Sequence, residues 1–373
     1  MKYYTEISHI VRGAVGNDRK AVEAYTRQLL EKLTEDGEII AVKGLNESLN
    51  SASLTNIFQS TNASMFSKPI PVEKDNRFAL ADKTNPTLEE SIVFLSNGAE
   101  STVEDFLSYL FKKDRLTSLG IPINPTLLLH GQPGTGKSKL ANYIAARLNL
   151  PLVTARADAL ISSYLGSTSK NIRSLLEYSQ SEPCVLFLDE FDAIAKARDD
   201  KNEIGELKRV VVSLLQNIDN LGDTILVAAT NHVHLLDPAI GRRFHYKLEL
   251  SAPQDPERYK LLTSLLTKFG FSDEDISVCV AVSDGMTGAE IEMATFEYLR
   301  RSVIQENVLS QIGLLKELLV VRYPWLNFND NEPKSIFIQE LKKVGGEIFT
   351  GKLLAQLWGV SPSYISRILK ENK

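Results

Sequence analysis

The sequence predicts an α/β fold in which a parallel sheet is covered by helices. Three observations lead there. From about Pro86 onward, short apolar runs alternate with helically spaced segments, the signature of strand-helix-strand units. A glycine-rich turn, Gly131 to Ser138, stands between one such run and one such helix. A further run, CVLFL, ends in Asp189, Glu190 and Asp192, as a central strand does when its carboxyl end opens onto a ligand crevice.

Five runs are expected as strands: Thr126 to His130, Leu152 to Arg156, Cys184 to Leu188, Thr224 to Ala229 and Tyr246 to Leu250. Together with their helices they make an α/β domain over residues 87–251. After Pro253 the apolar spacing is helical throughout, with Tyr259, Leu262 and Leu266 and then Ile291, Ala294 and Tyr298; a small helical domain over 252–325 is the expectation.

Ahead of the sheet, residues 1–50 read as an all-α module. Val22, Tyr25, Leu29, Leu30 and Leu33 share one face, after Asn17 and Asp18 as capping residues. The polar, aperiodic stretch 51–86 reads as a linker. At the other end, residues 326–373 include KLLAQLWGVSPSYISRILKE, spaced as a helix-turn-helix. Gly359 stands at the turn, Ser361 caps the second helix, and Pro362 takes its first position.

Composition narrows the function classes. The 373 residues are 43% hydrophobic, enough for real cores. A formal net charge of -5 gives no overall pull toward nucleic acid. From Lys334 on, however, seven Lys or Arg stand against three Glu, a local positive excess. Cys184 and Cys279 are far apart, each in an apolar run; buried thiols in a reduced cytosol are expected, not a disulfide or zinc site. No apolar run approaches the ~20 residues of a membrane span. A cytoplasmic protein without a membrane partner is the expectation.

Gly131-Gln132-Pro133-Gly134-Thr135-Gly136-Lys137-Ser138 fits G-x-x-x-x-G-K-[ST], the pattern of a phosphate-binding P-loop. Its glycines let successive backbone N–H groups turn inward, and the helix that opens at Lys137, Ser138 and Lys139 presents its positive end to the phosphates. Lys137 is expected on the β- and γ-phosphates, and the Ser138 hydroxyl on Mg²⁺. Asp189 is expected to hold the metal through water, and Glu190 to act as general base toward the attacking water. Asp192 reads as a capping or solvated residue. ATP and Mg²⁺ are the implied cofactors, and hydrolysis of ATP to ADP and phosphate the implied chemistry.

With these motifs the chain resembles the AAA clade of ATPases, the family of katanin, spastin and the proteasomal ATPases, over roughly Ser91 to Glu306. The resemblance implies a P-loop sheet with a helical lid, and a role for each matching segment. Asn231, in VAATNH, matches sensor 1 and is implied to meet the γ-phosphate or the attacking water. Arg242 and Arg243, in LLDPAIGRRF, match the segment of the arginine fingers, which reach a neighbour's ATP; Gly241 leaves open which is the principal finger. Gly288 and Ala289, in SDGMTGAEIE, match the lid segment that lies against adenine and ribose. Tyr164-Leu165-Gly166 matches a pore loop that grips polypeptide.

Fingers acting in trans imply a homo-oligomer, hexameric by the same resemblance. The leading expectation is a remodeller or unfoldase that pulls a polypeptide client through a central pore, with a separate protease as partner. The alternative is a DNA-tethered, ATP-dependent regulator of defence, transposition or transcription, with Ser363, Tyr364 and Arg367 as DNA contacts. A third reading is an assembly switch whose cycle only opens and closes a ring.

Overall fold

Residues that alternate along the central strands are buried on opposite faces of one sheet. The computed structural model describes residues 69–72, 79–160, 165–195, 213–328, 334–346 and 348–370, together with 25–26, 28–30 and 32–34. Six strands form one sheet in the order β1-β3-β4-β5-β2-β6. They are β1 (Ala81–Thr84), β2 (Thr126–His130), β3 (Leu152–Ala155), β4 (Val185–Leu188), β5 (Ile225–Thr230) and β6 (Tyr246–Glu249). The pairs from β3 across to β6 are parallel, and β1 joins β3 antiparallel.

Leu128, Leu186, Leu188, Leu226 and Ala228 belong to the core on one face. Leu127, Leu129, Val185, Phe187, Ile225 and Val227 belong to the core on the other. That is the two-residue period of a strand covered on both sides. Helices α1 (Asn97–Phe111) and α2 (Lys137–Leu148) cover the second face, and α3 (Leu165–Ser181) covers the first. Val103, Phe106, Leu107 and Leu110 recur at helical spacing on α1 and are fully buried. Burial of each such large side chain stabilises by roughly 1.5–3 kcal/mol, so Phe106→Ala would cost about 3–5 kcal/mol.

The sheet has one strand more than the sequence predicts. Ala81–Thr84 lies inside the stretch read as a linker over 51–86 and pairs with β3, with Leu80 and Ala81 buried beside it. This edge strand is four residues, ADKT, and only its first is buried; it is too short and too polar to show a period. Of the N-terminal module, the described residues between 25 and 34 are helical, with Leu29, Leu30 and Leu33 buried. Asn17, Asp18 and Val22 lie outside the described residues.

Beyond β6 follow α4 (Asp255–Leu266), α5 (Asp273–Val282), α6 (Gly288–Ile304) and α7 (Gln311–Arg322). Then come α8 (Lys334–Gly345), α9 (Gly351–Trp358) and α10 (Pro362–Lys370). Leu262, Leu266 and Ile291 share one buried cluster with Leu314 and Leu318, and equally with Leu354, Leu357, Ile365 and Ile368. The boundary expected at residue 326 therefore does not divide the core: the tail is packed onto the helical domain. The turn between α9 and α10 is as the sequence reads it. Gly359 is left-handed at φ 63°, Val360 N–H donates to Ala355 O at 3.0 Å, and Ser361 Oγ accepts from Tyr364 N at 3.2 Å.

Among the described residues, Arg258 on α4 is the largest fully buried side chain. It donates to Pro253 O at 2.8 Å, Val280 O at 3.3 Å and Asp284 Oδ1 at 3.1 Å, and it pairs with Asp255. A charge so deeply placed persists only when its donors are matched. Here the matching fastens the segment leaving β6 to the far end of α5.

Candidate functional site

Neighbours β4, β5 and β2 end side by side, and their carboxyl ends carry Asp189, Asn231 and Gly131 in turn. The loop from Gly131 requires glycine at defined places. Gly131 sits at φ 147°, and a Cβ there would lie 2.0 Å from the backbone oxygen of Leu250. Leu250 N–H donates to His130 O at 2.7 Å, so the continuation of β6 runs directly against the loop. Gly136 is left-handed at φ 96° and starts α2. Lys137 follows, 8% exposed, with its Nζ 2.8 Å from both Gly131 O and Gln132 O. Burial pushes this ammonium below its ordinary pKa, and the carboxylates of Asp189 and Asp192 oppose the shift.

Ser138 Oγ donates to Asp189 Oδ2 at 2.8 Å, joining residues from two motifs. The other oxygen, Oδ1, accepts from Glu190 N–H at 2.9 Å. Glu190 has φ 49°, in the left-handed region, where a side-chain-bearing residue costs roughly 1–2 kcal/mol; such strain clusters at functional sites. Beyond it, Phe191 N–H donates to Ala229 O at 2.8 Å, and Thr230 Oγ1 donates to Asp192 Oδ1 at 2.6 Å. Asp192, read from sequence as capping or solvated, is half-buried and bonded to the neighbouring strand.

The helical domain closes the site. Thr287 caps α6 reciprocally with Glu290, a T-x-x-E capping box. The adjacent N–H of Ala289 donates to Gly134 O at 3.1 Å. A Cβ on Gly134 would fall 2.8 Å from Thr287 Oγ1 and 3.0 Å from the Cβ of Ala289. Lys139 Nζ pairs with Glu292 Oε2 at 2.6 Å.

Between loop and lid lies a cavity of about 410 Å³, within the roughly 300–1,000 Å³ of small-molecule sites. Pro133 to Lys139, Asp189, Glu190, Asn231, Gly288 and Ala289 line it, as does the Ile92 to Ser96 segment. Gln254, Glu257 and Glu292 also line it, and sequence reasoning does not find them. A buried lysine, inward-turned glycines and a hydroxyl–carboxylate pair suit a nucleotide with a hard cation.

Comparison with known proteins agrees with this geometry. Residues 127–252 match the family described as ATPase family associated with various cellular activities (AAA). They form an AAA ATPase domain.

An uncharacterized AAA family ATPase, y4kL, of Sinorhizobium fredii is 39% identical over 199 residues, covering 52% of this chain and 59% of that protein. A proteasome-activating nucleotidase of Methanococcus maripaludis is 29% identical over 260 residues, 67% of this chain and 64% of the relative. The 26S proteasome subunit RPT4 of Saccharomyces cerevisiae is 34% identical over 190 residues, 48% of this chain and 43% of the relative. The chain thus spans less than two thirds of each of these. A chain in the structure of the E. coli MS115-1 HORMA:CdnC:Trip13 complex shares the fold, with a TM-score of 0.52 and 19% identity over 64% of this chain and 93% of that one.

Outside the cavity, the AAA domain separates its two adjacent arginines. Arg243 donates to both oxygens of Asp219 at 3.1 and 3.2 Å and to Ala239 O at 3.0 Å; the Asp219 bond raises its pKa further. Arg242 is exposed, and among the described residues its guanidinium has no hydrogen-bond or ion-pair partner. Tyr164 lies outside the described residues; Leu165 and Gly166 open α3. Ser363 and Arg367 are exposed on α10. Tyr364 packs partly against the helical core, with the Arg367 guanidinium 5.3 Å from its ring centroid.

Proposed function

We propose that this chain hydrolyses ATP as a subunit of a homo-oligomeric ring, hexameric in form, and uses the cycle to remodel or unfold a polypeptide client. One observation carries the oligomer. Among the described residues lining the cavity, the cations are Lys137 and Lys139, the latter paired with Glu292, while the free Arg242 stands outside it. Phosphoryl transfer gains about 10³–10⁵ in rate from an arginine that meets the developing charge. In this reading Arg242 supplies that charge to the next copy, and Arg243 holds the segment in place.

Within one copy, Lys137 holds the β- and γ-phosphates, Glu190 takes the proton of the attacking water, and Asn231 orients that water. Gly288 and Ala289 shape the wall at the base and ribose. Ser138 and Asp189 would hold Mg²⁺, which when bound supplies charge neutralisation between the phosphates.

The client reading is supported by the aromatic–aliphatic–glycine triplet Tyr164-Leu165-Gly166 in the sequence, a shape-based grip indifferent to side-chain identity. The proteasomal names of two relatives favour a protease partner. The test is Glu190→Gln in ATP: a stable oligomer with trapped polypeptide is expected. In parallel, Tyr164→Ala should keep ATP turnover and lose client processing. Full-rate hydrolysis by an isolated monomer would refute the ring.

A second reading, DNA tethering through α10, is favoured by the exposed Ser363 and Arg367 on a helix with a capped start. It requires salt-sensitive duplex binding that Arg367→Glu in the full chain abolishes. No binding at low salt removes it.

A further inference from the structure

The last residue of β5, Thr230, makes two hydrogen bonds with one hydroxyl. It donates to Asp192 Oδ1 at 2.6 Å and accepts from His232 N–H at 2.9 Å. The first bond reaches the segment two residues beyond Glu190. The second spans the turn that contains Asn231. A third bond, from Phe191 N–H to Ala229 O at 2.8 Å, ties the same two segments one residue closer to the sheet.

β4 and β5 are in parallel register up to Leu188 and Ala228. Past that point the ladder ends, and Asp189 and Glu190 turn away into the cavity. Glu190 holds a left-handed backbone at φ 49°, which a glutamate does not adopt without support. The support comes from the two bonds immediately after it. A hydroxyl has one hydrogen and two lone pairs, so Thr230 can hold both segments at once. Valine, of the same shape, makes neither bond.

We propose that Thr230 and Asp192 are positioning residues whose bond sets the separation of the Glu190 carboxylate from the Asn231 side chain, and with it the place of the attacking water. This rests on the reading of Glu190 and Asn231 given above. Neither residue touches the reacting atoms. Each acts through its neighbour, Asp192 through Glu190 and Thr230 through Asn231.

The test uses the full-length protein with Thr230→Val, Thr230→Ser and Asp192→Ala, and Glu190→Gln as reference. Steady-state kcat and KM for ATP are measured beside the affinity for a fluorescent ADP analogue and the melting temperature. Thr230→Val and Asp192→Ala should each lower kcat by about 10²-fold, the scale of a misplacement near 1 Å. Nucleotide affinity should stay within about threefold, since phosphate binding is left intact. Thr230→Ser keeps the hydroxyl and should recover most of the rate. Combining Thr230→Val with Asp192→Ala should be no worse than Thr230→Val alone, because valine already lacks the bond that Asp192→Ala removes.

A Thr230→Val kcat within about threefold of the parent overturns the proposal, as does a Thr230→Ser loss equal to that of valine. Should the valine variant fail to fold, Asp192→Ala and Asp192→Asn carry the same comparison. Full turnover by Glu190→Gln would instead refute the catalytic reading itself. An inactive Glu190→Gln beside a fully active Thr230→Val refutes the positioning alone.

Discussion

The hydroxyl of Ser138 lies 2.8 Å from Oδ2 of Asp189, so the first turn of α2 and the end of β4 meet through two oxygens. That helix follows β2, which β5 separates from β4 in the sheet. Such a pair of oxygens would suit a hard divalent cation.

Removing one ligand should therefore separate metal use from folding. Ser138→Ala is expected to lower ATP turnover by about 10²-fold, a loss partly recovered at high Mg²⁺. The melting temperature without nucleotide should be nearly unchanged, since both partners reach solvent. Turnover as a function of Mg²⁺ concentration is the measurement, and an unchanged Mg²⁺ requirement would count against the assignment.

Adjacent arginines should give opposite phenotypes. Arg242→Ala is expected to cost on the order of 10³-fold in ATP turnover with no change in melting temperature. Arg243→Ala should lower the melting temperature by freeing Asp219, and Asp219→Ala should do the same. Mixing Arg242→Ala with Glu190→Gln subunits should restore some activity, because each then supplies what the other lacks at shared interfaces. No recovery in the mixture would place the finger elsewhere.

The loop glycines should rank by what surrounds them. Gly136 has open space around its missing Cβ and a φ of 96°, so Gly136→Ala should cost about 1–2 kcal/mol of strain. Gly131→Ala drives a Cβ to 2.0 Å from Leu250 O, and a loss above about 4 kcal/mol, or no folded protein, is expected. Denaturant midpoints of the two variants check the order.

Both cysteines should be inert in the folded chain. Burial pushes the Cys184 and Cys279 thiols from 9.0 up to about 12, which at pH 8 lowers the thiolate fraction by about 10³-fold. A maleimide should label neither thiol at pH 8 until denaturant is added. Rapid labelling of the native protein would show that the cores around them open.

Much of the site was legible along the chain because its chemistry is local. A glycine run between strand and helix, and acids at the end of an apolar run, need no distant partner to be recognised. The same holds for the helical period of α1 and for the turn at Gly359 and Ser361. β1 was not legible: its four residues gain their meaning only from pairing with β3.

Sequence alone determined the α/β class, the phosphate loop and the order in which Lys137, Asp189, Asn231 and Arg242 follow one another. Only the tertiary structure decided that Arg243 is held by Asp219 across 24 residues, Asp192 by Thr230 across 38, and Lys139 by Glu292 across 153. It also merged the tail with the helical domain in one core. The reason is physical: periodicity and turn chemistry act over a few residues, whereas the pairing of a charge is settled by whichever groups the packed sheet and helices bring within about 3 Å.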